Sequence, residues 1–327
     1  MSSEYILHSN DNLHPEQTDF VQAFTIDRSV IRGRVVRLQE TVQTILSQHR
    51  YPVVICDVLA QMMLVAAMLS SNLKASGILT LEIRGSQAVK FMVVDAAYGG
   101  KLRGYARLST EAHHRRHVHK LGRRRTPVSM QELVGEGYIC ITLDRGRKTQ
   151  PYQGVIALPD ADFSHAVREY FTQSQQVDMD MRLVVQRPAP RHGIHGWAAG
   201  GMFIERMPDS GSEPDRAPGK HHSAEEAEDL WERSCMFLES CTPDELLSPH
   251  LSGWDLLRRL FGMDGVWAYA PQPLMHACRC SRERVRSVLQ TLDRQELASL
   301  VKQGKITVRC EFCGNKERFT LAQVTRT

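Results

Sequence analysis

Cys278-Arg279-Cys280 and Cys310-Glu311-Phe312-Cys313 are two tight cysteine pairs with 29 residues between them, and they hold four of the chain's eight cysteines. Pairs this close suit a tetrahedral metal site. Four thiolates around one Zn²⁺ make a closed structural centre with no position left for a substrate. Soft sulfur ligands favour Zn²⁺ over Ca²⁺ or Mg²⁺, and spacing alone leaves iron open. Gly314-Asn315 lets the backbone turn tightly behind Cys313. The same residues admit an inert zinc staple or two disulfides. Thiolates are also oxidisable nucleophiles, so oxidation of either pair would remove ligands and couple a redox event to local unfolding.

The residues between the pairs are patterned. Ser281 can cap a helix that carries Val285, Val288, Leu289 and Leu292 on one face. Asp293 with Glu296 is a second capping signature, and Leu297, Leu300 and Val301 continue the apolar spacing. Gly304 stops the helix, and Lys305 to Arg309 read as a strand that returns Cys310 to Cys278 and Cys280. A domain of about fifty residues has too little core to be secure alone. Metal binding at such a site supplies about 10–16 kcal/mol of apparent folding free energy.

A chain of 327 residues, 42% of them hydrophobic, has room for two or three domains. Its first residues carry no signal-peptide pattern. Val53 to Leu69 is interrupted by Cys56, Asp57 and Gln61, so it reads as core and no membrane span is expected. Reduced or metal-bound cysteines suit the cytoplasm. The net charge of +4 is local: Glu111 to Arg125 contains six Lys/Arg and one Glu, and the remaining chain sums to −1. That stretch, with His113, His114, His117 and His119, reads as a solvated loop, and the rest is not an evident nucleic-acid binder.

Along the chain, Met1 to Pro15 is polar and Phe20 to Val36 extended, with Gly33 as a bend or bulge. Helices are expected over Leu38 to His49 and Val54 to Leu73, the latter carrying Met62 and Met63. Strands follow at Ile78 to Arg84, Ala88 to Val94, Leu102 to Leu108, Tyr138 to Leu143 and Tyr152 to Leu158. Asp162 to Gln173 is a helix, with Phe171 on its apolar face and Asp160 and Asp162 at its opening, and Met179 to Gln186 and Trp197 to Ile204 return to strand. The predicted fold is α+β, a mixed and largely antiparallel sheet body with packed helices. Asp209 to His222 reads as linker, and Ala224 to Cys241 as an amphipathic helix carrying Leu230, Trp231, Phe237 and Leu238. The expected domains are a body over 1–205, a flexible and helical linker over 206–265 and a zinc-binding redox-switch domain over 266–327. Cys235 and Cys241 lie in or beside the connector, and Cys56 and Cys140 read as core.

Cys278-Arg-Cys-Ser-Arg-Glu-Arg284 and Cys310-Glu-Phe-Cys-Gly-Asn315, with Arg32-Gly-Arg-Val35, Gly104-Tyr-Ala-Arg107, Gly135-Glu-Gly-Tyr138, Tyr152-Gln-Gly154 and Gly200-Gly-Met202, closely resemble the redox-regulated chaperone family named for its 33 kDa heat-shock member. The resemblance covers nearly the whole chain. It implies that Cys278, Cys280, Cys310 and Cys313 hold one zinc ion when reduced. It implies disulfides Cys278–Cys280 and Cys310–Cys313 after oxidation, with zinc lost, the linker disordered and a homodimer formed. Unfolding client proteins would then be held without ATP. The basic stretch from Glu111 to Arg125 is longer than the family's usual connection.

No Walker sequence, Gly-x-Gly-x-x-Gly fingerprint or His-Glu-x-x-His is present, and no catalytic set is expected. The leading reading is a holdase chaperone, a stress-response protein that binds unfolded proteins rather than an enzyme. Candidate client-binding residues are Leu230, Trp231, Phe237 and Leu238 on the connector and Met62, Met63 and Phe171 on the body. The alternative is a zinc-stapled nucleic-acid-binding protein that uses the basic loop 111–125. A disulfide reductase is a third reading, and it lacks the strand-to-helix setting such an enzyme needs.

Overall fold

The structure is a computed structural model that describes residues 18–325 apart from 28–29, 75, 125–127, 147–148, 190–194 and 208–222. The expected frayed segment Met1 to Pro15 and the linker Asp209 to His222 lie outside the described residues. The chain divides into two compact units, one running to His276 and one from Ala277.

The larger unit opens with β1 (Phe20–Ile26), β2 (Ile31–Leu38), α1 (Glu40–Ser47) and α2 (Val53–Ser70). It continues with β3 (Ile78–Gly85), β4 (Val89–Ala97), β5 (Lys101–Leu108), α3 (Ala112–Leu121) and α4 (Met130–Val134). After β6 (Gly137–Asp144) and β7 (Tyr152–Ala157) come α5 (Phe163–Tyr170), β8 (Met179–Gln186) and β9 (Ala198–Arg206). The connector follows as α6 (Ala224–Ser240), α7 (Pro243–Leu247) and α8 (Gly253–Phe261). Three short strands complete the unit: β10 (Val266–Ala268), β11 (Gln272–Pro273) and β12 (Met275–His276).

Two sheets result. The first runs β10-β1-β2-β9-β8, with β11 also on β1; the second runs β12-β5-β4-β3-β6-β7. Every pairing in them is antiparallel except that of β12 with β5. The α+β expectation is met. The central helix is α2, which packs against strands of both sheets with Leu59, Met62, Met63 and Ala66 fully buried. By length and composition alone α2 could cross a membrane, yet it is the core helix that the sequence reading expects. Its polar residues are too few to lower that signal. Here it is the core helix, and the buried Asp57 carboxylate accepts from Arg187 Nε at 3.0 Å. Burial pushes Asp57 up, and the Arg187 hydrogen bond and charge oppose that.

The first sheet is covered on both faces, which follows from strand alternation. Val21, Val36, Leu38, Ala199 and Phe203 point into the cluster around α2. Their neighbours Phe20, Phe24, Ile31, Val35, Met202 and Ile204 join a second cluster with Leu230, Leu238, Leu246, Leu256, Leu257 and Phe261 of the connector. Extended Phe20 to Val36 is two strands, and Gly33 is neither bend nor bulge. It lies in register within β2 opposite Phe24, where an added Cβ would sit 2.2 Å from Phe24 Cζ and 2.6 Å from the Phe203 carbonyl oxygen. The glycine is space for the Phe24 ring, which stacks on Phe261 of α8 with centroids 5.7 Å apart.

Residues 111–125, expected as a loop, contain the helix α3. Val118 and Leu121 are buried and anchor it against α2, while Arg115, Arg116, His119 and Lys120 stay exposed. Val266 to His276, assigned by sequence to the zinc domain, pair instead with β1 and β5. Strands of two or three residues have no period to read, and their place is fixed by the free sheet edges. Asp162 caps α5 by accepting from His165 N at 2.9 Å, the role expected of it.

Candidate metal centre

The smaller unit holds α9 (Arg282–Leu289), α10 (Arg294–Leu300), β13 (Ile306–Arg309), β14 (Lys316–Phe319) and α11 (Leu321–Val324). Its local structure follows the sequence signals. Ser281 Oγ accepts from Arg284 N at 3.2 Å, and Asp293 and Glu296 form a reciprocal capping box. Strands β13 and β14 pair as a hairpin whose tip carries the second cysteine pair. There Cys310 N donates to Asn315 O at 2.8 Å and Gly314 N to Cys310 O at 2.9 Å. Gly314 has φ +70°, a conformation that side chains disfavour. The core is small: Leu289, Leu297, Ile306, Phe319 and Val324 are its buried residues.

The hairpin tip and the segment before α9 bring the four cysteines together. Cys278 and Cys310 sulfurs are 3.7 Å apart, those of Cys280 and Cys313 3.4 Å, and all four lie within 4.8 Å of one another. A tetrahedron of sulfurs at the ordinary Zn–S distance of about 2.3 Å has edges of about 3.8 Å, so the donor set fits Zn²⁺ in both chemistry and spacing. All four are half-buried free thiols. Burial pushes Cys280 and Cys313 upward. At Cys278 burial acts the same way, but hydrogen bonds from the Cys280 backbone and the neighbouring thiols outweigh it and bring the group to about 7.

The net charge of the smaller unit has the sign that favours sulfur anions. Ala277 to Thr327 contains eleven Lys/Arg and five Asp/Glu, a net of +6. Positive surroundings stabilise thiolates. The sequence reading placed the chain's excess charge in 111–125 alone; the arginine density around the cysteines was the signal it passed over.

The candidate client-binding residues fall into two separate places. Leu230 and Leu238 are buried in the connector cluster, and Trp231 and Phe237 pack against it half-buried. Met62 and Met63 are buried in the α2 cluster, with Phe171 half-buried beside it. None of the seven is an exposed surface in this conformation. The two groups lie on opposite faces of the first sheet.

Arg37, which sequence reading missed, pins the connector to that sheet. From β2 it donates through Nε to Leu246 O at 2.9 Å and through Nη1 to Leu251 O at 3.0 Å. Desolvation lowers this guanidinium to about 10. A charged residue at a core-facing strand position was the available clue.

Comparison with known proteins agrees with this architecture. The Hsp33 protein family model matches residues 19–320. A 33 kDa chaperonin of Caulobacter vibrioides is 34% identical over 296 residues, covering 90% of this chain and 92% of the relative. One of Proteus mirabilis is 31% identical, covering 92% and 93%. The crystal structure of a 33 kDa chaperonin from Thermotoga maritima aligns with TM-score 0.71 at 20% identity, over 94% of this chain and 96% of that one, a likeness of fold. With four clustered cysteines at one end and a helical connector on a two-sheet body, the chain belongs to the Hsp33 family of chaperones.

Proposed function

We propose that this chaperone is a redox-regulated, ATP-independent holdase of the cytoplasm, weak when reduced and zinc-bound and active after its cysteine pairs are oxidised. The observation that carries the reading is the sulfur cluster: four thiols within 4.8 Å of one another in a unit with a core of five buried apolar residues among the described residues. Cys278, Cys280, Cys310 and Cys313 would hold Zn²⁺, and the ion when bound supplies the cross-link that such a core lacks. Oxidation to Cys278–Cys280 and Cys310–Cys313 disulfides turns the sulfurs into poor ligands. The hairpin and the segment before α9 are then no longer tied to each other.

Loss of order there passes along the chain. Cys278 lies two residues beyond β12, a two-residue strand, and β11 and β10 precede it with two and three residues. Such short strands hold few hydrogen bonds each. Their fraying frees the end of α8 and uncovers the apolar faces of α6 and α8 together with Phe24, Val35 and Met202 beneath. Exposed apolar area of that kind captures partly unfolded proteins and favours a homodimer. Leu230, Trp231, Phe237 and Leu238 serve as client contacts only in that undocked state. Met62 and Met63, inside the core helix, are the weakest candidates.

The test follows aggregation of a thermally unfolding protein with the chain reduced and after peroxide, while thiols, zinc and sedimentation are measured in parallel. Suppression that rises as four thiols and one zinc per chain are lost supports the proposal. Full suppression by the reduced, zinc-loaded form sinks it.

A further inference from the structure

We propose that Cys235 and Cys241 are a second oxidation site, able to close as one disulfide only after the connector has left the sheet. The inference rests on the undocking proposed above and adds a latch to it.

Docked, the pair cannot bridge. Six residues apart on α6 and its C-terminal cap, their Cα atoms are about 10 Å apart by the helix rise and radius. A disulfide requires less than about 7 Å. Cys241 is fully buried, and Cys235 packs half-buried against the same connector cluster. Burial, with Glu245 beside Cys241 and Asp180 and Asp178 near Cys235, pushes both thiols up to about 11, so neither is a nucleophile at neutral pH.

Undocking removes every one of these restraints at once. The freed α6 loses the apolar contacts that made it a helix, and a seven-residue segment in coil brings its ends within bonding range. Both thiols return toward about 8.5. With hydrogen peroxide as oxidant, one thiolate attacks a peroxide oxygen; an S–O bond forms, the O–O bond breaks and one water leaves. The second thiolate attacks that sulfenic sulfur, the S–S bond forms as the S–O bond breaks, and the hydroxide takes up a proton released by the thiols and departs as a second water. Two thiols lose two electrons and the peroxide gains them.

The product cannot redock. A Cys235–Cys241 bridge is incompatible with helix across 235–241 and takes Leu238 out of its buried site. The connector therefore stays open until this bridge is reduced, even after the four clustered cysteines have been restored.

The experiment oxidises the full-length, zinc-loaded chain with peroxide, traps free thiols by alkylation and maps disulfides by peptide mass spectrometry. The expected result is a Cys235–Cys241 peptide that appears after client holding does. Cys235→Ser, at the less buried position, should release client several-fold faster once zinc and a mild reductant are added. Both thiols still alkylatable in client-holding protein, or bridged instead to the clustered cysteines, would overturn the inference and leave the proposed function standing. If oxidation of the cluster brings no client holding, that function fails instead. The pair is then judged in urea that melts α6, where peroxide must still produce the bridge.

Discussion

Arg37 ties the connector to the first sheet through backbone carbonyls that no apolar side chain could satisfy. Its guanidinium reaches the carbonyls of Leu246, in the last turn of α7, and of Leu251 beyond it. Arg37→Met keeps the aliphatic stem and strands those carbonyls. Unsatisfied buried groups cost about 1–3 kcal/mol each, so the connector should lose roughly 2 kcal/mol or more of docking stability. Hydrogen exchange over α6 to α8 in the reduced protein should speed up while α2 stays protected; unchanged exchange would show that the apolar contacts suffice. A second residue gives a pH signature. Cys241 is fully buried and held at about 11 by burial first and Glu245 second. Folding therefore favours the neutral thiol. Above about pH 8.5 the unfolded chain releases that proton and the docked chain keeps it, so stability falls as pH rises from about 8.5 to 11. The urea midpoint of the larger unit should drop less steeply over that range in Cys241→Ala than in the parent chain.

At the scale of elements, the helix α8 is held through a ring stack that depends on a missing side chain. Phe24 occupies the space over Gly33 and meets Phe261 in parallel. Gly33→Ala drives a methyl into that ring, and overpacking of this kind costs about 1–3 kcal/mol. Phe24→Leu in the same chain should recover part of the loss, as read from thermal midpoints; a Gly33→Ala chain as stable as the parent would refute the stack's importance. This is also where sequence reading reached its limit. The long elements were legible because their periodicity is imposed by burial: α2, α6, β3 and the capped helices α9 and α10 fall close to where apolar spacing and Ser281 or Asp293 put them. The four cysteines were legible for the same local reason, since two pairs and a hairpin turn need no distant partner. What could not be read depends on partners far along the chain. Gly33 is required by Phe24 and Phe203, β10 to β12 exist because β1 and β5 offer edges, and α3 is a helix because Val118 and Leu121 find α2. Arg37 is needed because α7 and the segment after it present their carbonyls to β2.

For the molecule as a whole, stability is unevenly divided between the two units, and metal removal should expose the division. The larger unit has continuous apolar clusters on both faces of its first sheet. The smaller has one cluster of five buried residues, Leu289, Leu297, Ile306, Phe319 and Val324, and a net charge of +6 that works against compaction. A four-thiolate zinc centre brings net negative charge into that unit as well as a cross-link. Chelation under reducing conditions therefore removes about 10–16 kcal/mol of apparent folding free energy from a unit whose core cannot replace it. The amides of β13, β14 and α9 should exchange at rates close to those of an unfolded chain, while α2 and β3 to β6 keep their protection. Cys310→Ser should produce the same pattern without chelator, because a three-sulfur set leaves the hairpin tip weakly held. A hairpin that remains protected in both cases would mean that its small core folds unaided, and oxidation of the sulfurs would then have no structure to release.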